Sequence, residues 1–166
     1  MKAEDHDRII DIAFGPKSGS FRLSAMDLDT LKRASRDVDD LRTGQSRSGS
    51  FKHAMRGDGQ ARSEAEALAK TFMNYHLQLA ADLQHGGSHD QAIYYLGMGM
   101  HTIADSYSPA HEGFRPWCGD TPSCIPSDAE HWDIEHSRDI SDANSAAAMA
   151  LRQYYQKFRK LSGLDR

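Results

Sequence analysis

Apolar residues recur along the chain at spacings of three and four nearly everywhere, and the alternation and β-branched clusters of strands are missing. The pattern therefore predicts an all-α fold, a multi-helix bundle. A first short helix is expected over about Asp5 to Phe14, with Ile9, Ile10 and Ala13 on one face and the turn GPKSGS after it. A second runs from about Ser24 to Asp40. From Leu41 to Gly59 the composition turns to Gly, Ser, Arg and Gln, which predicts a long loop carrying His53. Three segments then read as capping boxes, a hydroxyl with an acid or amide three residues on: Ser63 to Glu66, Ser88 to Gln91 and Ser127 to Glu130. The first opens a helix ending near Gly86 and Gly87. The second opens a helix that buries Leu96, Met100 and Ile103 and ends near Tyr107, because Pro109 forces Ser108 out of helical geometry. The third precedes a helix holding His131, Ile134 and Glu135. A last amphipathic helix, about Ala143 to Leu161, presents Met149, Leu151, Tyr155 and Phe158 and stops before Gly163. No internal repeat or linker interrupts this order, so residues 1–166 are expected to form one domain.

Composition narrows the function classes. With 20 basic and 24 acidic residues the formal net charge is −4, which gives no global attraction to nucleic acid or anionic lipid. No apolar run approaches the roughly 18 residues of a transmembrane helix, and the opening MKAEDHDRIIDIAFG has no signal-type apolar core, so the chain is expected to be soluble and unprocessed. Cys118 and Cys124 bracket the loop CGDTPSC; they read either as one small disulfide or as two free thiols, and are poorly spaced for a metal.

Histidine is the unusual residue, with nine in the chain. His101 and Asp105 lie four apart and share a helix face, and His131 and Glu135 repeat the spacing. His101 follows the apolar LGMGM, where Gly97 and Gly99 permit close helix approach, so its ring is expected to be buried. Either pair reads as a solvated hydrogen bond on a helix surface or as a cation site; if the His101 ring is buried, a divalent cation one turn from the carboxylate accounts for it. His111, just past the Pro109 turn, can fold back over the same helix end. His76, His85 and His89 read as helix-surface or helix-end residues, and His136 points away from Glu135. Phe51, Phe114, Trp117 and Trp132 either line a pocket or belong to the core.

The block QAIYYLGMGMHTIADSYSPAHEGF resembles the signature of the zinc-dependent phospholipase C and single-strand nuclease superfamily, an all-α fold with a three-zinc cluster. The family's ligand order matches His6, Asp39, His53, His101, Asp105, His111, His131 and Glu135. The resemblance implies a first zinc on Asp39, His53, His101 and Asp105, a second on His111, His131 and Glu135, and a third on His6 and a shared Asp105. Two or three ions are expected. Nitrogen and oxygen ligands without thiolates leave positions for water, as hydrolysis requires.

Two departures matter. The family begins its mature chain with a chelating tryptophan, whereas no tryptophan precedes His6 here; the Met1 amine or Asp5 substitutes, or the third site is weak or empty. SRDVDD offers Asp37, Asp39 and Asp40, and the spacing to His53 favours Asp39. The implied activity is phosphodiester hydrolysis by a metal-activated hydroxide, with Asp39 orienting the water or accepting its proton. Glu135, where nucleases of the superfamily tend to have Asp, and the negative net charge favour a phospholipase C acting on phospholipid over a nuclease acting on single-stranded nucleic acid. The block also resembles the C-terminal toxin domains of Rhs-type polymorphic proteins, which implies export within a larger chain, a secreted effector role and an immunity-protein partner. The competing class is a non-catalytic bundle in which metal or buried polar pairs only hold helices together.

Overall fold

A computed structural model describes residues 3–40, 47–117 and 141–165. The expectations placed on the Met1 amine, Cys118, Cys124, the third capping box, His131, Trp132, Glu135 and His136 lie outside the described residues.

Five α-helices make up most of the described residues: α1 (Ala3–Phe14), α2 (Ala25–Val38), α3 (Arg62–His85), α4 (His89–Ser106) and α5 (Ser141–Leu161). The all-α expectation holds, and the helices pack as a bundle. Ser24 starts α2 by accepting from the Asp27 amide at 3.1 Å. The box at Ser63 does not form. Helix α3 begins one residue earlier, at Arg62, and the Glu66 carboxylate that would reach back to the Ser63 amide instead accepts from Arg62 Nε at 2.5 Å. Ser88 does cap α4 by position, without a side-chain bond. Gly87, at φ +80°, makes the turn between α3 and α4 that only glycine adopts without strain. As Pro109 dictates, α4 ends at Ser106.

The stretch read as loop holds more structure than its composition suggests. Arg47–His53 forms 3-10 turns, and β1 (Arg56–Gly57) pairs in parallel with β2 (Pro116–Trp117), in the register Arg56 to Pro116. Strands of two residues leave no periodicity to read. The clasp they make joins the segment after His53 to the one after His111.

Helix α4 lies at the centre. Arg36 and Lys32 of α2 pair with Asp7 and Asp11 of α1, so these two helices run antiparallel. His89 contacts Asp27 and His101 contacts Ser35, so α4 runs parallel to α2. Arg152 donates to the Ile12 and Ala13 carbonyls at 2.8 and 3.0 Å and Tyr155 packs on Phe14, so α5 runs parallel to α1. One consequence decides the site: the start of α1 and the ends of α2 and α4 meet at one end of the bundle. The core above it joins Ile9, Ile10, Ala13 and Phe14 to Leu31, Leu96, Met100, Leu151 and Phe158. Ile103, expected on the buried stripe of α4, is only partly buried, and Met149 of α5 is 58 % exposed.

The two glycines before His101 set the helix separation. A Cβ on Gly97 would lie 2.8 Å from Ala34 Cβ and 3.0 Å from the Leu31 carbonyl oxygen, and one on Gly99 would lie 2.2 Å from the Tyr154 hydroxyl. Gly97→Ala is therefore expected to push α4 off α2 and to cost about 1–3 kcal/mol. Gly86→Ala, whose added methyl meets only carbonyl oxygens at 3.5 Å, is the control. Thermal unfolding followed by circular dichroism compares them, and equal melting temperatures would refute the close approach.

Candidate metal centre

Each candidate ligand arrives from a different element. His6 comes from the first turns of α1, Asp39 caps the end of α2, His53 ends the 3-10 segment, and His101 and Asp105 occupy the last turns of α4. His111 comes from the turns after Pro109. All of these but Asp39 are at most 4 % exposed, and the Asp39 side chain is 23 % exposed. Thr102 Oγ1 donates to the Lys52 carbonyl at 2.6 Å, tying the His53 segment to α4.

Asp105 is the hub. Its Oδ2 lies 3.0 Å from His101 Nε2 and 3.3 Å from His53 Nδ1. Its Oδ1 lies 3.2 Å from His6 Nε2 and 3.6 Å from His111 Nδ1. Asp39 Oδ1 joins the Oδ2 side, 3.5 Å from His53 Nδ1 and 3.6 Å from His101 Nε2, and those two nitrogens are 3.0 Å apart. Nitrogen and oxygen donors around a small tetrahedral cation stand about 2.0–2.1 Å from it, hence about 3.3 Å from one another. The three distances among His53, His101 and Asp105 fall at 3.0–3.3 Å, near that edge length. The His6 ring stacks on that of His101 at 4.2 Å, so His6, Asp39 and His101 also bring one donor atom each within 4.8 Å of one another. Buried His and Asp groups able to hold a metal ion are thus present.

Electrostatics favours a cation in the same place. Asp39 and Asp105 sit at the C-terminal ends of two parallel helices, where the macrodipoles already present negative charge. Burial pushes His101 down to about 4, with the charge of His6 acting the same way, so its ring is neutral and able to ligate near pH 7. For Asp105, burial acts to raise the carboxyl, but the positive charges that can gather around it, those of protonated His111, His101 and His6 among them, prevail and hold it well below the usual carboxylate range. Burial raises the Asp39 carboxyl, and the charge of Asp105 adds to this against the opposing pull of His101. His6 Nδ1 and His53 Nε2 are buried without a hydrogen-bond partner among the described residues, a cost unless a bound group or ordered water meets them.

Of the eight candidate ligands, His6, Asp39, His53, His101, Asp105 and His111 converge, while His131 and Glu135 lie outside the described residues. Geometry also separates the three acids of SRDVDD: Asp39 faces the histidines, whereas Asp37 accepts from the Tyr94 hydroxyl at 2.8 Å. Trp117 stacks on His53 at 6.2 Å with the rings 22° apart, and so walls the site. His85 and His89 are exposed as expected, but His76 is not a surface residue. It is 6 % exposed, donates from Nδ1 to the Phe72 carbonyl at 2.8 Å, and packs on the Phe72 ring at 4.1 Å; burial pushes its imidazole down. Sequence reasoning missed Ser35, whose Oγ lies 3.1 Å from His101 Nδ1. The signal available was its place four residues before Asp39, on the same face of α2. Among the described residues, no helix is long and apolar enough to cross a membrane. Comparison with protein families, with curated proteins and with solved structures finds no match for the chain.

Proposed function

We propose that the protein is a zinc-dependent phosphodiester hydrolase of the phospholipase C kind. The observation that supports this reading is the convergence of His53 Nδ1, His101 Nε2 and Asp105 Oδ2 within 3.0–3.3 Å of one another, three donors at the spacing zinc requires, with Asp39 Oδ1 3.5 and 3.6 Å from the two histidine nitrogens. His53, His101 and Asp105, with Asp39 beside them, would hold one ion. Asp105 and His6 would hold another, and His111, with His131 and Glu135, is assigned to a third by its place in the ligand order. Zinc bound there supplies Lewis acidity to a phosphoryl oxygen and acidifies water enough to provide a nucleophile near neutral pH. The remaining roles belong to the chain. Asp105 stays ionised and binds the two halves together. Asp39 is the only one of the six converging residues with appreciable exposure, so it would orient attacking water or accept its proton at the mouth of the site. Trp117 closes one side beside His53 and excludes solvent from it. A net charge of −4 suits a zwitterionic lipid headgroup better than a polyanion.

Metal analysis of protein purified without added zinc is expected to find at least two equivalents; fewer would favour the bundle in which metal only holds helices together. The same preparation should release phosphorylated headgroup from phosphatidylcholine vesicles, and chelator should stop it. Cleavage of single-stranded DNA with intact vesicles would move the substrate assignment to the nuclease branch. His101→Ala must abolish whichever rate appears, since a surviving rate belongs to a contaminant.

A further inference from the structure

The Ser35 hydroxyl faces the one nitrogen of His101 that is turned away from the cluster. It lies 3.1 Å from Nδ1, and Ser35 is 1 % exposed, so water cannot replace it. On the other side of the same ring, Nε2 lies 3.0 Å from both Asp105 Oδ2 and His53 Nδ1, and of these the ionised carboxylate can only accept. A neutral imidazole carries one proton, and its place differs between the two states of the site. Without metal, Nε2–H donates to the ionised Asp105 carboxylate, which leaves Nδ1 as an acceptor. With metal, Nε2 must offer its lone pair, so the ring proton sits on Nδ1 and needs an acceptor there. A backbone carbonyl or a carboxylate beside Nδ1 would satisfy only the second state. A hydroxyl donates in the first and accepts in the second.

We infer that Ser35 is a positioning residue that lets His101 exchange tautomers when the site fills, donating to Nδ1 in the empty site and accepting from Nδ1–H in the loaded one. The exchange is balanced within the ring: the proton given up at Nε2 is matched by one taken at Nδ1, and His101 releases none overall. The role rests on the proposed metal centre and adds to it a residue that touches neither metal nor substrate. Ser35 reaches His101 because Gly97, one turn earlier on α4, brings the backbone of α4 against Ala34 and Leu31.

The test uses the whole protein, with zinc as the probe. Zinc affinity, measured by chelator competition, is expected to fall about 10- to 100-fold in Ser35→Ala. Ser35→Thr, which keeps the hydroxyl, should stay within about threefold of wild type, as expected if the hydroxyl and not the volume matters. Nitrogen-15 NMR of histidine-labelled wild type should show His101 protonated at Nε2 without zinc and at Nδ1 with it, a signature a purely structural serine would not produce. Wild type that binds zinc while Ser35→Ala binds within twofold overturns the role of Ser35 alone, as does a His101 proton that stays on Nδ1 in both states. Wild type that binds no zinc overturns the metal centre, and this role with it.

Discussion

Asp105→Asn is expected to empty both halves of the site and to lower kcat/KM by about 10³-fold or more, on the order of 4 kcal/mol of transition-state stabilisation. The two Asp105 oxygens face different partners, Oδ1 toward His6 and His111 and Oδ2 toward His53 and His101. A carboxylate can bridge two cations because each oxygen carries part of the charge. A carboxamide is neutral, and one of its ends is an NH₂ that repels a cation and offers no lone pair. Whichever way the amide turns, one half of the site faces a donor. The substitution nearly conserves volume, so the helices should survive. Circular dichroism should remain near wild type while elemental analysis shows the loss of zinc, and a variant that retains two equivalents would refute the bridging role.

Removing zinc from the wild-type protein is expected to produce the second large effect, on stability. Metal that binds only the folded chain contributes RT ln(1 + [L]/Kd), about 4 kcal/mol at a thousandfold excess over Kd. Chelator should therefore lower the melting temperature by many degrees, in proportion to the free zinc removed. The metal-free protein should also be acid-sensitive in a defined window. His101 is pushed down to about 4 when folded, against 6.5 for the free side chain. Between those values the unfolded chain binds the proton and the folded chain does not, so stability falls as pH drops from about 6.5 toward about 4, by on the order of 3 kcal/mol. The carboxylate of Asp105 acts lower: its folded value is depressed, so the stability it contributes is present above 3.8 and fades below it. Zinc binding at the proposed centre is expected to weaken over the upper part of the same range, because histidine ligands must be unprotonated. Urea titrations at stepped pH, with and without chelator, separate these contributions. A metal-free midpoint that does not change between pH 7 and 5 would contradict the burial of His101.

Much of this centre was legible in the chain. The 3.6-residue period places the helices, and Pro109 and Gly87 place their ends, because those signals are local. The burial of His101 was also legible, through the glycines beside it. Other features depend on contacts that no local pattern encodes. Asp37, Asp39 and Asp40 share one helix end, and only the approach of α4 and of the His53 segment selects Asp39. Glu66 satisfied the capping pattern, yet a neighbouring guanidinium captured it. His76 looked like a surface residue until the Phe72 and Tyr95 rings were placed around it. A serine in mid-helix carries little signal beyond its place one turn before Asp39, and the role of Ser35 became visible only with the His101 ring beside it.

The clasp between Arg56–Gly57 and Pro116–Trp117 has a kinetic consequence. It ties together positions far apart in sequence through only two pairs of residues, so it gains little by forming early and must overcome the entropy of closing a long loop. The α3 and α4 hairpin needs no such closure and can assemble first. His53 and His111, carried on the segments the clasp joins, are then expected to reach Asp105 late in folding. The bundle is in that sense a frame raised before its hardware is fitted, and an ion reaching the chain early would find His101 and Asp105 in place before the rest of their company.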